Sequence, residues 1–380
     1  MMNEKRMYYI YYGSQIFLNK KLPEFREDDD VHGFLELVRI SDEAKNRGTR
    51  YDDYADILIV KNNNYHGIVE AAHDRLGALI EELTSYTADI YIHNPPRILM
   101  EYLNNQFIQG YIGLEIESET YMMQKDIRYF ADKIIEISKN IIGQKNAIEE
   151  ISKSMWYLTK SNRLKPYVIM LYGDSSLGKT ELVREIAEKF FDGNFMEKHL
   201  SMFKNNVYSD YFFGDKPNRK SLGFDLLERK SNLLFFDELD KCPEYFFSAF
   251  YTLFDNTIFI DATYDVDISG MLIVLTSNYK SEDEIKKNLG LPIYYRIDKF
   301  IQFEEFNSYT IYSITMNEIL ARYEDYKDTF TSDMIYEAVS PLIKSSGENA
   351  RTIKYKVQKV IEELLFQDIR TSLIKKQIFE

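Results

Sequence analysis

Short runs of consecutive apolar residues alternate along this chain with longer stretches in which apolar positions recur every three or four residues. The first pattern reads as buried strand, the second as helix with one face on a core. Strands are predicted over Ala55–Val60, Ala88–Ile92, Tyr167–Tyr172, Asn232–Phe236 and Met271–Thr276. Helical periodicity runs from about Val69 to Leu83, starts again near Arg97, and fills Glu181–Phe191. Beyond residue 306 no strand pattern occurs, and Tyr309–Tyr323, Ser332–Ile343 and Arg351–Gln367 read as helices. The expected organisation is an α/β module over 1–125, a larger α/β domain with a parallel sheet over 126–305, and a small all-helical domain over 306–380. The acidic run Glu27–Asp30 and the Asn62–Asn64 run read as solvated loops. No sequence repeat with a period of about 20–50 residues is visible.

Composition narrows the classes. With 45% hydrophobic and 15% aromatic residues, the 380-residue chain can bury a sizeable core. Lys plus Arg number 47 against 61 Asp plus Glu, a formal charge of −14. That balance argues against a protein whose main partner is nucleic acid. The single cysteine, Cys242, excludes an intrachain disulfide. The N-terminal run MMNEKRMYYIYYGSQ is too short and too tyrosine-rich for a signal-peptide core. No stretch approaches about 18 uncharged apolar residues, so a cytoplasmic protein without a membrane anchor is expected. His66, His73 and His93 show no ligand-like spacing.

Candidate chemistry gathers in the middle of the chain. Gly173-Asp174-Ser175-Ser176-Leu177-Gly178-Lys179-Thr180 fits G-x-x-x-x-G-K-[ST], lying between the apolar run Val168–Tyr172 and the helical stretch that opens at Glu181. The glycines let backbone N–H groups turn toward phosphate, and the helix N-terminus adds positive partial charge. Lys179 would reach the β and γ phosphates of ATP, and the Thr180 hydroxyl would ligate Mg2+. An ordinary glycine-containing turn is the alternative, and the flanking elements weigh against it. The apolar run Asn232–Phe236 ends in Asp237-Glu238. At a strand tip, two acids can face a ligand rather than a core. Asp237 would hold the Mg2+ shell and Glu238 would polarise the attacking water. Asn278, at the tip of the next apolar run, can reach that water or the γ-phosphate; taken alone, Thr-Ser-Asn reads rather as a strand end or helix cap.

Ile141-Ile142-Gly-Gln144, the phosphate loop, Phe-Phe-Asp-Glu-Leu-Asp-Lys241, Thr-Ser-Asn278 and Tyr-Arg296-Ile-Asp298 occur in one order. In this the chain resembles an AAA+ ATPase, and more narrowly the C-terminal ATPase module of Clp-type unfoldases and disaggregases, over about residues 130–370. The resemblance implies an α/β AAA+ P-loop core with a helical lid, preceded by an α/β module of unknown type. It implies that Ile141 and Ile142 contact adenine, that Arg296 is an arginine finger acting on the neighbouring subunit's nucleotide, and that Arg351 is a second sensor on the lid. It also implies a homo-oligomeric ring, most simply a hexamer, that acts on polypeptide. Tyr211, Phe212, Phe213 and Gly214 fall where such rings carry a substrate-gripping pore loop, with Asp210 in place of that loop's first glycine. The nearest match to a peptidase-docking loop, Asn288–Leu291, aligns instead with the approach to Arg296, so no peptidase partner is expected. A nucleic-acid or defence-system ATPase and a nucleotide-controlled assembly switch are the competing functions.

Overall fold

The computed structural model describes residues 5–203, 206–344 and 346–378. Among the described residues, twelve strands form two separate five-stranded sheets and one hairpin. The first sheet contains β1 (Met7–Tyr12), β2 (Val31–Gly33), β3 (Ala55–Val60), β4 (Thr84–His93) and β5 (Gly113–Ser118), in spatial order β2-β3-β4-β1-β5. The second contains β6 (Tyr167–Tyr172), β7 (Met196–His199), β8 (Leu233–Asp237), β11 (Leu272–Ser277) and β12 (Lys299–Gln302), in order β12-β6-β11-β8-β7. Every pairing within both sheets is parallel. Between β8 and β11, β9 (Ile258–Ile260) and β10 (Asp265–Asp267) pair as a short antiparallel hairpin.

The second sheet is covered on both faces because its three inner strands, β6, β11 and β8, are apolar on both. All six residues of β11 are buried, as are five of the six in β6. One face packs with helices Ile127–Asn140, Lys145–Lys160 and Lys179–Phe190, through Ile137, Met155 and Ile186. The other face carries helices Phe247–Asp255 and Glu282–Tyr294 and a dense aromatic cluster. Helices Ser308–Tyr323, Ser332–Val339 and Ala350–Ile378 form the C-terminal lid. Their buried Ile319, Ile335 and Val357 extend the first of these two cores, so the lid packs on the same face of the sheet as helix Lys179–Phe190.

Several sequence expectations change. Within the N-terminal aromatic run, residues 1–4 lie outside the described residues, and the remainder forms β1, the strand flanked by β4 and β5. Its tyrosines obscured an alternation in which Tyr8 and Ile10 are fully buried and Tyr9 is not. The helix expected over Val69–Leu83 is broken into Glu70–His73 and Leu76–Leu83. The Asn62–Asn64 run is a correction. It opens a 3₁₀ turn, and Asn62 is buried because Glu228 accepts a hydrogen bond from its amide at 2.8 Å.

The two sheets belong to bodies that touch directly. The Arg97 guanidinium donates to the Asp261 carbonyl at 2.6 Å and pairs with the Asp265 carboxylate. Tyr121 donates to the Arg229 carbonyl at 2.7 Å, and the His66 ring lies 4.6 Å from Phe224.

Candidate nucleotide site

The C-terminal tips of β6, β8 and β11 converge on a cleft of about 790 Å³ beneath the lid. The phosphate loop supplies its floor. Gly173 has φ +135°, and a Cβ there would lie 2.5 Å from the Phe303 carbonyl oxygen. Gly178 has φ +100°, with open space where its Cβ would be, and starts helix Lys179–Phe190. Both positions therefore require glycine, one for close approach and one for left-handed backbone.

Lys179 is buried. Its Nζ donates to the carbonyls of Gly173 and Asp174, each at 2.7 Å, with Asn278 Oδ1 at 3.4 Å. Burial lowers its pKa to about 8, against the opposing pull of Asp240, Asp237 and Asp174. A buried ammonium held by neutral carbonyls fits a position designed for phosphate oxygens. Thr180 Oγ1 lies 3.4 Å from Asp237 Oδ1, so a hydroxyl and a carboxylate meet where a hard, oxygen-ligated cation can be held. These residues fit nucleotide with Mg2+ on the chemistry of their donors.

Glu238 follows at φ +60°, an uncommon conformation for a side chain other than glycine or asparagine. Its N–H donates to Thr276 Oγ1 at 3.0 Å, and the Thr276 hydroxyl donates to Asp237. Thr276 thus fixes both acids from the neighbouring strand. Asp240 accepts from the Asn278 backbone N–H at 3.1 Å and from its side-chain amide at 3.3 Å. His199, at the tip of β7, places Nδ1 3.4 Å from Asp237 Oδ2. Thr276, Asp240 and His199 were missed from sequence. The cue for Thr276 was available, since it ends the apolar run Met271–Thr276; His199 had none, because its strand carries no apolar run.

The lid side of the cleft is lined by Ile141, Ile142, Asn317, Glu318 and Arg351. The Ala350 N–H donates to the Ser176 carbonyl at 3.2 Å, tying the lid to the phosphate loop. Gln144 donates to the Leu177 and Glu304 carbonyls, holding the same loop from below. Ser175, Ser176, Leu177, Thr180, Glu181, Asp237, Glu238 and Asn278 line the cleft with Lys179, and Arg351 joins them. Arg296 does not. It follows helix Glu282–Tyr294, bonds Asp255 Oδ2 at 2.5 Å, and lies 4.6 Å from the centre of the Tyr251 ring.

The expected gripping loop is corrected. Tyr211, Phe212 and Phe213 end a helix, Asn206–Phe213, and Gly214 follows it at φ +70°. Phe212 is 1% exposed, packed among Phe203, Phe236, Phe246 and Phe250. Tyr211 donates to Asp225 at 2.6 Å beneath the Lys198 ammonium. Burial pushes its hydroxyl pKa well up. Only Phe213 is exposed. The aromatic run was long enough to build a core, and that is where most of it goes.

A phosphate loop on the first strand and acids on the next-but-one define a P-loop nucleotide-binding domain. Residues 169–304 match the ATPase family associated with various cellular activities (AAA). Over these residues the chain is similar to AAA ATPases, and over a longer stretch to the Clp-type chaperones. Similar proteins include "Chaperone protein ClpB" of Tropheryma whipplei, 24% identical over 299 residues that cover 70% of this chain and 42% of the relative. "Chaperone protein ClpB 2" of Synechocystis is 23% identical, covering 70% and 34%. "Heat shock protein 100" of Trypanosoma brucei brucei is 22% identical, covering 68% and 33%. This chain spans about two fifths of the length of the first of these relatives. No described helix is long and apolar enough to cross a membrane.

Proposed function

We propose that this chain is an ATP-hydrolysing motor that works in a ring and remodels polypeptide. The observation that carries the hydrolytic part is the convergence of Lys179, Thr180, Asp237, Glu238 and Asn278 in one cleft capped by Arg351. Lys179 leaves its two backbone carbonyls and binds the β and γ phosphates. Thr180 and Asp237 hold Mg2+, which when bound neutralises phosphate charge. Glu238, set by Thr276, accepts the proton of the attacking water. Asn278, set by Asp240, orients that water or the γ-phosphate. Arg351 and the loop serines stabilise negative charge as the bond to the γ-phosphate breaks. Ile141 and Ile142 form an apolar seat for the base.

Arg296 lies outside its own cleft, which supports action on a neighbouring subunit's nucleotide and hence a closed oligomer, six-membered by resemblance. Polypeptide as substrate is supported by the names of the relatives, and the net charge of −14 disfavours nucleic acid. The test is ATP turnover of the full chain with and without an unfolded polypeptide. The expected result is stimulated turnover. Turnover that ignores polypeptide but rises with DNA, in a manner lost at high salt, would replace the substrate assignment.

A further inference from the structure

The two parallel sheets share one strand order. Numbered within each body, both read fifth-first-fourth-third-second. The agreement extends to single residues. The first strands, β1 and β6, each have six residues, end in Tyr, and are followed by Gly13 and Gly173. Both glycines have large positive φ, +151° and +135°. The residue after the fifth strand donates its N–H to the final carbonyl of the first strand in both bodies. Glu119 bonds Tyr12 and Phe303 bonds Tyr172, each at 2.7 Å. A Cβ on either glycine would strike that same residue, Glu119 in one body and Phe303 in the other. An asparagine follows the fourth strand in both, Asn94 and Asn278.

The chemistry has diverged. Only Ser14 separates Gly13 from helix Gln15–Lys21, so there is no loop to surround phosphate and no lysine at its end. β3 ends in Val60-Lys61 where β8 ends in Asp237-Glu238. The strand tips of the first body are occupied by protein carboxylates. Ser14 N–H donates to Glu119 at 2.7 Å, and Gln15 N–H to Glu228 at 3.1 Å. Glu228 comes from the ATPase core, at the end of helix Leu222–Leu227. It also accepts from Asn62 at 2.8 Å and from Asn94 at 3.4 Å, with fully buried His93 Nδ1 3.7 Å away.

We propose that residues 7–119 are a second copy of the P-loop fold that binds no nucleotide and uses the strand-tip position to grip Glu228, docking the copy onto the ATPase core. The partner of this surface is therefore one carboxylate of the same chain. A carboxylate there takes the backbone and amide donors that a phosphate group would take, and two such carboxylates exclude a further anion. Glu228 precedes β8 by a short turn, so the first body is fastened to the segment that leads into Asp237 and Glu238.

Two measurements on the full chain test this. Equilibrium dialysis with radiolabelled ADP and Mg2+ is expected to give one nucleotide per chain, and none for Lys179→Ala. Two per chain, or one persisting in Lys179→Ala, would overturn the assignment; no binding by the unaltered chain would instead sink the proposed ATPase site. Hydrogen exchange then compares Glu228→Gln and Glu228→Ala with the unaltered chain. Amides of residues 13–17, Asn94 and residues 97–99 are expected to exchange about tenfold faster in Glu228→Ala, and less so in Glu228→Gln, which retains one acceptor. ADP affinity should stay within about twofold, which shows that the core remains folded. Unchanged exchange in Glu228→Ala with ADP binding intact would overturn the docking role.

Discussion

Lys179 is the residue whose surroundings say most about its work. Its charge is weakened by burial and only partly restored by three nearby acids. The free ammonium titrates near pH 8, and bound phosphate would raise that value by pairing with it. Binding therefore takes up a proton above pH 8. ADP affinity should be flat below that pH and fall up to about tenfold per pH unit above it. Titration of a fluorescent ADP analogue between pH 7 and 9.5 measures this, and a flat profile would detach Lys179 from the phosphates. Lys179→Ala should lose nucleotide at every pH. At Phe212 the expectation concerns stability. Emptying that site should cost about 3–5 kcal/mol in chemical denaturation, whereas Phe213→Ala should stay within about 0.5 kcal/mol. Lost polypeptide stimulation in Phe212→Ala at unchanged stability would return it to a gripping role.

Among the elements, β8 carries the sharpest expectation. Glu238→Gln keeps the side-chain volume and its backbone geometry but loses the base. ADP and ATP binding should persist while single-turnover hydrolysis slows by about 10²–10⁴. Fast hydrolysis would remove Glu238 from its assignment. The same strand shows what sequence could reveal. β6, β8 and β11 were legible because strands buried on both faces need unbroken apolar runs, and their tips stood out as sudden polar groups. β7 was not, since Met196–His199 is an edge strand of Glu, Lys and His with half-exposed faces. β1 was masked by tyrosines that can serve either face of a sheet. Asp240 was on the page as a letter of an acidic motif, but its hold on Asn278 depends on a turn that only three dimensions supply. The helical run Asn206–Phe213 defeated the loop expectation because aromatic burial in the Phe236 cluster outweighed a local glycine signal.

For the molecule as a whole, the expectation is division of labour between chains. Arg296→Ala should bind nucleotide normally yet lose most turnover, since it stands apart from its own cleft. Mixed with Lys179→Ala protein, it should recover part of that turnover, because intact fingers from one variant meet intact clefts of the other. Absence of recovery in oligomers shown by mass to be mixed would place the finger in cis. The architecture also explains why the internal relation between the two sheets escaped the sequence. Parallel order is set by which strands cross over, and crossovers leave no periodic trace in composition.

One connection gives the fold a temporal consequence. From Glu238 the chain runs through two 3₁₀ turns, Leu239–Lys241 and Glu244–Phe246, with Pro243 between them, into helix Phe247–Asp255, whose last residue clasps Arg296. With Arg296 acting in trans as proposed, a shift of Glu238 as its own nucleotide changes would be passed along this covalently continuous segment to the guanidinium offered next door. In a ring, each subunit's readiness would then be announced to a single neighbour in one direction, so that firing travels round the circle in order instead of all at once.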